Sequence, residues 1–177
     1  MRICVFCGSK NGSNAAYSQA AYDLGRKMAQ LKIDLVYGGA SNGLMGVIAN
    51  EVLNAKGTVI GVIPKNLKKE VHHLGISDLF VVDSMPERKA AMIKLADGFI
   101  VLPGGIGTCD ELFEIWTLTQ LSSINKPFVL LNVDGYYDNF IRFIDDMRSD
   151  GFLSDSSFSL LKICHDPTEA ISICQLK

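Results

Sequence analysis

The sequence lacks any long apolar run. No stretch of its 177 residues approaches the roughly 18 consecutive apolar residues that a membrane-spanning helix requires. The apolar stretch near the start, residues 3–6, is too short for the hydrophobic region of a signal peptide. We therefore expect a protein without a membrane span that remains in the cytoplasm.

The chain also has little excess charge and few cysteines. Its 17 basic and 19 acidic residues give a formal net charge of −2, so no basic surface for nucleic acid is predicted. Five cysteines are an odd number without the pattern of a secreted disulfide framework, which favours a reducing compartment. If residues 2–7 form a strand, Cys4 and Cys7 point to opposite faces, and we predict no metal site. Cys109, near the start of a predicted helix, is expected to have a lowered thiol pKa.

Two common nucleotide-binding signatures are missing. A Walker A loop requires a glycine, four intervening residues and then Gly-Lys-Ser or Gly-Lys-Thr, and no such string occurs. A Rossmann fingerprint requires a third glycine three residues after Gly107, where this chain has Asp110. A nucleotide site must therefore use glycine loops of another kind.

One such loop occupies residues 102–111. The apolar run 98–102 predicts a buried strand and residues 109–122 predict a helix, so the glycines fall on a strand-to-helix turn. Free backbone N–H groups and the helix dipole make such turns anion sites, although a tight turn without a ligand is the alternative. We expect Thr108 to cap the helix, and three glycines to adopt positive φ and admit a ligand: Gly104, Gly105 and Gly107.

Two further glycine loops follow other predicted strands. Residues 37–46 lie between the strand 34–37 and a helix at 44–55, and residues 7–13 follow the strand 2–7. The carboxyl ends of parallel strands meet at one edge of a sheet. The three loops therefore predict one shared crevice.

Strands alternate with helical patterns along the whole chain. The predicted strands are residues 2–7, 34–37, 58–63, 79–82, 98–102, 128–131 and 162–164. This alternation predicts an α/β, Rossmann-like fold of three layers, a parallel sheet covered by helices on both faces. No linker or repeat interrupts residues 1–177, which we interpret as one domain. The segment 64–73 lacks periodicity and is expected to be a mobile loop near the site.

Two charged side chains fall on apolar helix faces. At 100° per residue, Arg88 lies beside Met92 in the apolar sector of a helix over residues 85–96. Glu111 projects beside Leu118, away from the polar side of its own helix. Arg88 then binds an anion, forms a structural ion pair or extends its charged end to solvent, while Glu111 has a chemical role or stabilises the helix dipole.

The chain resembles the LONELY GUY family, the cytokinin riboside 5′-monophosphate phosphoribohydrolases often labelled lysine decarboxylases. The resemblance rests on Pro-Gly-Gly-x-Gly-Thr-x-x-Glu at residues 103–111 and on the Arg-Lys pair at 88–89. It extends over nearly the whole chain through residues 4–9, 43–46 and 131–138. Two positions depart from the family pattern: Ala40 replaces a third glycine and Pro86 replaces a histidine.

The resemblance implies hydrolysis of the N-glycosidic bond of nucleoside 5′-monophosphates, such as AMP or cytokinin riboside monophosphates, without a cofactor. It implies that Arg88 and Glu111 are catalytic. The residues expected to bind the substrate are Gly8, Ser9, Gly39, Met85, Lys89, Gly104, Gly105, Ile106, Gly107 and Thr108. No histidine has motif support as the acid that protonates the leaving base, and we expect His72, His73 and His165 at the surface or in loops.

Two other functions compete with hydrolysis. Carriers of nucleotides or of the molybdenum cofactor are similar to this family and keep the glycine loops, but the presence of both Arg88 and Glu111 argues against a carrier. A decarboxylase would need a Schiff-base lysine in a pyridoxal phosphate site. Lys89 is the only motif lysine, and no accompanying pyridine-binding residues are recognisable.

The helix at 109–122 is apolar around most of its circumference, more than one sheet-facing stripe requires. The resemblance implies a homodimer, and we expect this helix at or near its interface. The alternative is that the chain covers the helix itself, through the segment 158–174.

Overall fold

The protein is represented by a computed structural model that describes residues 1–70 and 75–175. Within these residues the strands are β1 (Arg2–Phe6), β2 (Asp34–Tyr37), β3 (Val59–Pro64), β4 (Asp78–Val82), β5 (Gly98–Val101), β6 (Phe128–Leu131) and β7 (Lys162–Cys164). The α-helices are α1 (Ala15–Gln30), α2 (Gly43–Asn54), α3 (Met85–Leu95), α4 (Ile106–Gln120), α5 (Asp138–Ser149), α6 (Asp155–Phe158) and α7 (Pro167–Gln175). Each predicted strand is present, and its ends differ from the prediction by no more than one residue.

The strands form one parallel sheet in the order β4-β3-β2-β1-β5-β6-β7. The order changes direction at β1, which pairs with β2 on one side and with β5 on the other. The connections leaving β1 and β5 therefore run to opposite faces of the sheet and leave a crevice between them. In open α/β sheets this crevice at the carboxyl ends is the usual ligand site.

Helices cover both faces of the sheet, as predicted. Helices α1, α2 and α7 pack on one face, while α3, α4 and α5 pack on the other. The alternation within β1 divides its side chains between these two cores, so that Ile3 and Val5 enter the first and Cys4 and Phe6 the second. Cys7 belongs to the first core, so Cys4 and Cys7 face opposite sides, as the strand pattern predicted.

Two local predictions were wrong. Helix α4 begins at Ile106 rather than at Cys109, because poor helix formers are tolerated in the first turn, where N–H groups have no partner within the helix. The segment 64–73 is not wholly a loop: Pro64 ends β3 and Lys65–Glu70 form a 3₁₀ helix. The rest of that segment, including His72 and His73, lies outside the described residues.

The chain itself covers part of α4 beyond its sheet-facing side, while a stripe that includes Asp110, Phe113 and Thr117 is exposed. The Phe113 and Phe140 rings lie 5.6 Å apart, and Trp116 donates a hydrogen bond from Nε1 to the Ser157 carbonyl at 2.9 Å. Cover from within the chain therefore accounts for much of the apolar circumference. Phe113 and Leu121 nevertheless remain 38% and 66% exposed.

No helix in the described part of the chain is long and apolar enough to span a membrane.

Candidate active site

The three glycine loops meet at Gly8, directly after β1. The Gly8 N–H donates to the Pro103 carbonyl at 3.0 Å, and the Gly8 carbonyl accepts from the N–H groups of Leu44 and Met45 at 3.0 and 3.4 Å. The first N–H groups of α2 are therefore occupied by the chain itself. The third loop leads to α1, where the Asn14 side chain accepts from the N–H of Ala16, whereas α4 has no side-chain cap.

The N-terminus of α4 is open to a ligand. Gly105 is its N-cap, so Thr108 lies inside the first turn and is not the cap predicted from sequence. A Cβ atom added to Gly105 or Gly107 would meet no atom within 4 Å, whereas one on Gly104 would lie 2.7 Å from the Thr108 Cβ. Positive φ, the other property predicted for these glycines, is absent: the glycines with positive φ are elsewhere. Glycine is used here for close approach, which favours anion binding at the backbone N–H groups.

Two tyrosines form hydrogen bonds to the carbonyl groups of the strand-to-helix turn. Tyr137 donates its hydroxyl proton to the Leu102 carbonyl at 2.7 Å, and Tyr136 donates to the Gly104 carbonyl at 2.6 Å. Both carbonyls flank Pro103, just after the carboxyl end of β5. These contacts fix the position of the turn before a ligand binds.

Arg88 and Glu111 form a buried ion pair across the crevice. Both side chains are buried, as their helical positions predicted, and each residue is 8% exposed. Arg88 donates from Nη1 to Glu111 Oε1 at 2.8 Å and from Nε to the Val62 carbonyl at 3.1 Å. The β3 carbonyl orients the guanidinium plane, and the guanidinium in turn orients the carboxylate.

Gly38, at the end of β2, makes this arrangement possible. A Cβ atom there would overlap Nη2 of Arg88 and would lie 2.9 Å from Sδ of Met45. The guanidinium group can lie in its observed position only because residue 38 has no side chain.

Burial governs the acidity of Glu111. Loss of solvation raises the pKa of its carboxyl above the ordinary value of 4.5, and this effect outweighs the opposing attraction of Arg88. An ionised carboxylate in this position is poorly solvated and is directed toward the crevice, where it can stabilise positive charge or accept a proton.

A cavity of about 250 Å³ joins these parts. Of the residues predicted for the site, those that line it are Gly8, Ser9, Met85, Arg88, Gly105, Ile106, Gly107, Thr108 and Glu111. The structure therefore brings most of the predicted site together, at the N-terminus of α4 and beside the buried ion pair.

Three predicted site residues do not line this cavity. Gly104 lines an adjoining cavity of about 370 Å³. Gly39 has φ of +80°, and a Cβ atom there would lie 3.0 Å from Cβ of Ile63, so its role is in the turn. Lys89 directs its ammonium group to the carboxylates of Asp110 and Glu114.

Other lining residues were not predicted. Gly38, Met45, Met92 and Asp110 line the cavity. Met92 lies one helical turn after Arg88, and this spacing was a usable signal in the sequence. Gly38 and Met45 belong to the loop 37–46 that was predicted to border the crevice, but their proximity to Arg88 on α3 could not be read from the sequence.

The cavity wall holds no histidine among the described residues. His165 lies apart from it, with Nδ1 2.9 Å from the Asn132 carbonyl. Burial raises the pKa of the Cys109 thiol, contrary to our expectation, and α4 begins three residues before Cys109. No cluster of three or more metal-binding side chains occurs in the described ranges.

Comparison with known proteins identifies the family. Residues 45–174 match the family model described as "Possible lysine decarboxylase". The chain is 49% identical over 157 residues to the cytokinin riboside 5′-monophosphate phosphoribohydrolase LOG of Oryza sativa subsp. japonica, covering 88% of this chain and 65% of that protein. It is 44% identical over 172 residues to the enzyme of the same activity name from Rhodococcoides fascians, covering 96% and 87%. The chain belongs to the LONELY GUY family.

The LONELY GUY fold is shared by more distant proteins. The molybdenum cofactor binding protein of Rippkaea orientalis superposes with a TM-score of 0.70 at 20% identity, covering 98% of this chain and 94% of that one. This likeness concerns the fold alone.

Of the two departures from the LONELY GUY pattern, Ala40 is buried and Pro86 is exposed in the first turn of α3, where its fixed φ suits a helix start.

Proposed function

We propose that this protein hydrolyses the N-glycosidic bond of AMP and of cytokinin riboside 5′-monophosphates to free base and ribose 5-phosphate. The observation that carries the proposal is the buried Arg88–Glu111 pair in the wall of a cavity that also contains the open N-terminus of α4. The family relatives named above have this activity in their names.

The 5′-phosphate binds at the N-terminus of α4 in this proposal. The N–H groups of Ile106 and Gly107 have no acceptor within the helix, and the helix dipole favours an anion there. Gly105 allows the phosphate oxygens to approach the backbone. Binding of a group that does not react then positions the ribose at the reacting end of the cavity.

Glu111 acts at the sugar. Departure of the base develops positive charge on the ribose, and a poorly solvated carboxylate stabilises that charge strongly. The same carboxylate can orient the attacking water and accept its proton, since burial raises its pKa. Arg88 holds the Glu111 carboxylate through Nη1. Its Nη2 atom, which lies beside Gly38, then donates hydrogen bonds to the ribose hydroxyls in this proposal.

The test is incubation of pure protein with AMP, followed by chromatographic detection of adenine and ribose 5-phosphate. We expect both products from the wild type, and at least about a hundredfold lower turnover from Glu111→Gln, which keeps size and hydrogen bonding but removes the charge. Intact AMP bound without turnover would instead indicate a carrier.

We further propose a cytoplasmic homodimer. All five cysteines are free, as a reducing compartment requires. Met85 and Ile106, at the rim of the cavity, are 45% and 90% exposed, and a second copy of the chain would cover them. Light scattering at micromolar concentration is expected to give twice the mass of the chain, and a fully active monomer would contradict this proposal.

A further inference from the structure

Lys89 lies outside the cavity but is bound to the helix that forms it. Its Nζ atom is 2.9 Å from Oδ2 of Asp110 and 2.9 Å from Oε2 of Glu114, and its side chain is only 17% exposed. Asp110 itself lines the cavity. The lysine therefore contacts α4 on two successive turns, immediately beside the reacting residues.

The two cross-helix contacts are adjacent in sequence on both helices. Arg88 and Lys89 are neighbours on α3, and they reach Glu111 and Asp110, which are neighbours on α4. Adjacent residues of a helix project about 100° apart. Two contacts at different angles resist rotation of α4 about its own axis, which one contact alone would permit.

Charge gives Lys89 a second effect on the site. Asp110, Glu111 and Glu114 place three carboxylates in the first turns of α4, close to where the phosphate would bind. Like charges four residues apart destabilise a helix, and they also repel an anionic ligand. The single positive charge of Lys89 contacts two of these carboxylates and offsets part of their negative charge, while Arg88 pairs with the third.

We propose that Lys89 is a positioning residue for the hydrolysis, acting through α4 and not through the substrate. It fixes the rotation of α4 and offsets the charge of Asp110, and thereby sets the position and ionisation of the Glu111 carboxylate. This inference rests on the proposed function, because it assigns Lys89 a part in that reaction.

The ionisable groups around Glu111 support this role. Arg88 and Lys89 on α3 lower the pKa of Glu111, and Asp110 on α4 raises it. Glu111 also interacts with the buried thiols of Cys4 on β1 and of Cys7 just after it, and burial raises the pKa of both thiols, so they stay neutral. Loss of Lys89 leaves Asp110 uncompensated and raises the pKa of Glu111 further.

The experiment compares three variants with the wild type. Lys89→Met removes the charge but keeps length and helix propensity, Lys89→Arg keeps the charge, and Lys94→Met is the matched control on an exposed position of the same helix. The readouts are AMP hydrolysis across pH and the pKa of Glu111 in the free protein, from a ¹³C NMR titration of its carboxyl carbon.

We expect Lys89→Met to lower kcat/KM by about tenfold or more and to move the acid limb of the pH profile and the Glu111 pKa upward. Lys89→Arg should keep kcat/KM and the Glu111 pKa close to their wild-type values, and Lys94→Met should change neither quantity. Wild-type activity in Lys89→Met, or lost activity with an unchanged Glu111 pKa, would overturn the proposal. If the wild type releases no base, the proposed function fails, and the NMR titration still tests the coupling between Lys89 and Glu111.

Discussion

Replacing Gly38 with alanine should disable the site although neither of its charged residues, Arg88 and Glu111, is substituted. The new Cβ atom would overlap Nη2 of Arg88. The end of a flexible side chain can usually avoid such an overlap by changing its conformation. Here the guanidinium group is fixed at two further atoms, by Nε on the Val62 carbonyl and by Nη1 on Glu111. The guanidinium group must leave at least one of these partners to make room.

The size of the effect follows from the displacement. Ordinary contact with the new methyl group requires Nη2 to move by more than about 1 Å, and a misplacement of about 1 Å can reduce the rate of a positioned reaction about a hundredfold. That corresponds to roughly 2.7 kcal/mol of transition-state stabilisation. Overpacking should cost about 1–3 kcal/mol of unfolding free energy, which lowers Tm by roughly 3–9 °C.

The assay is adenine release from AMP, with Tm measured on the same preparations. Because the alanine acts through Arg88, the double variant Gly38→Ala/Arg88→Ala should be no slower than Arg88→Ala alone. Additive losses in the double variant, or near-normal turnover in Gly38→Ala, would show that this contact does not position Arg88.

Three other outcomes are expected. Since Glu111 works as a carboxylate and burial raises its pKa above 4.5, kcat/KM should fall as pH drops, with a midpoint above 4.5; a rate independent of pH from 4 to 7 would exclude this role. Adenosine, which lacks the 5′-phosphate, should have a kcat/KM at least about a hundredfold below that of AMP, and equal values would refute phosphate binding at α4. The Cys109 thiol, whose pKa burial raises, should react with Ellman's reagent at pH 7.5 more slowly than in unfolded protein.

The sheet could be predicted closely because its strands are short apolar runs with distinct ends. A strand buried on both faces has no polar positions to blur the pattern, and β6, whose four residues are all buried, matches the prediction at both ends. The ends of β2 and β7 also match, although each begins with a charged residue, Asp34 and Lys162. The burial of Arg88 and Glu111 could also be predicted, since the angle between residues on a helix is fixed. Both inferences use only contacts that are local in sequence.

The remaining features depend on residues distant in sequence. The overlap between Gly38 and Arg88, the hydrogen bond from Arg88 to Val62, and the pairing of Lys89 with α4 each join different elements of the fold. The start of α4 was missed for another reason. Its first turn contains glycine and threonine. Both residues have low helix propensity, although they are tolerated at the ends of helices.

The N–H and the carbonyl of Gly8 are both hydrogen-bonded within the chain. These bonds limit the positions at which the protein can change its preference for the base. The peptide groups of Gly8 are already used by the two other loops, so a substitution or insertion in any one loop would disturb all three. The cavity is also lined by Met85 and Met92 of α3, whose unbranched side chains can change shape without loss of backbone hydrogen bonds. Variation in substrate choice among related sequences should therefore concentrate on these methionine positions, and the loops should remain nearly constant.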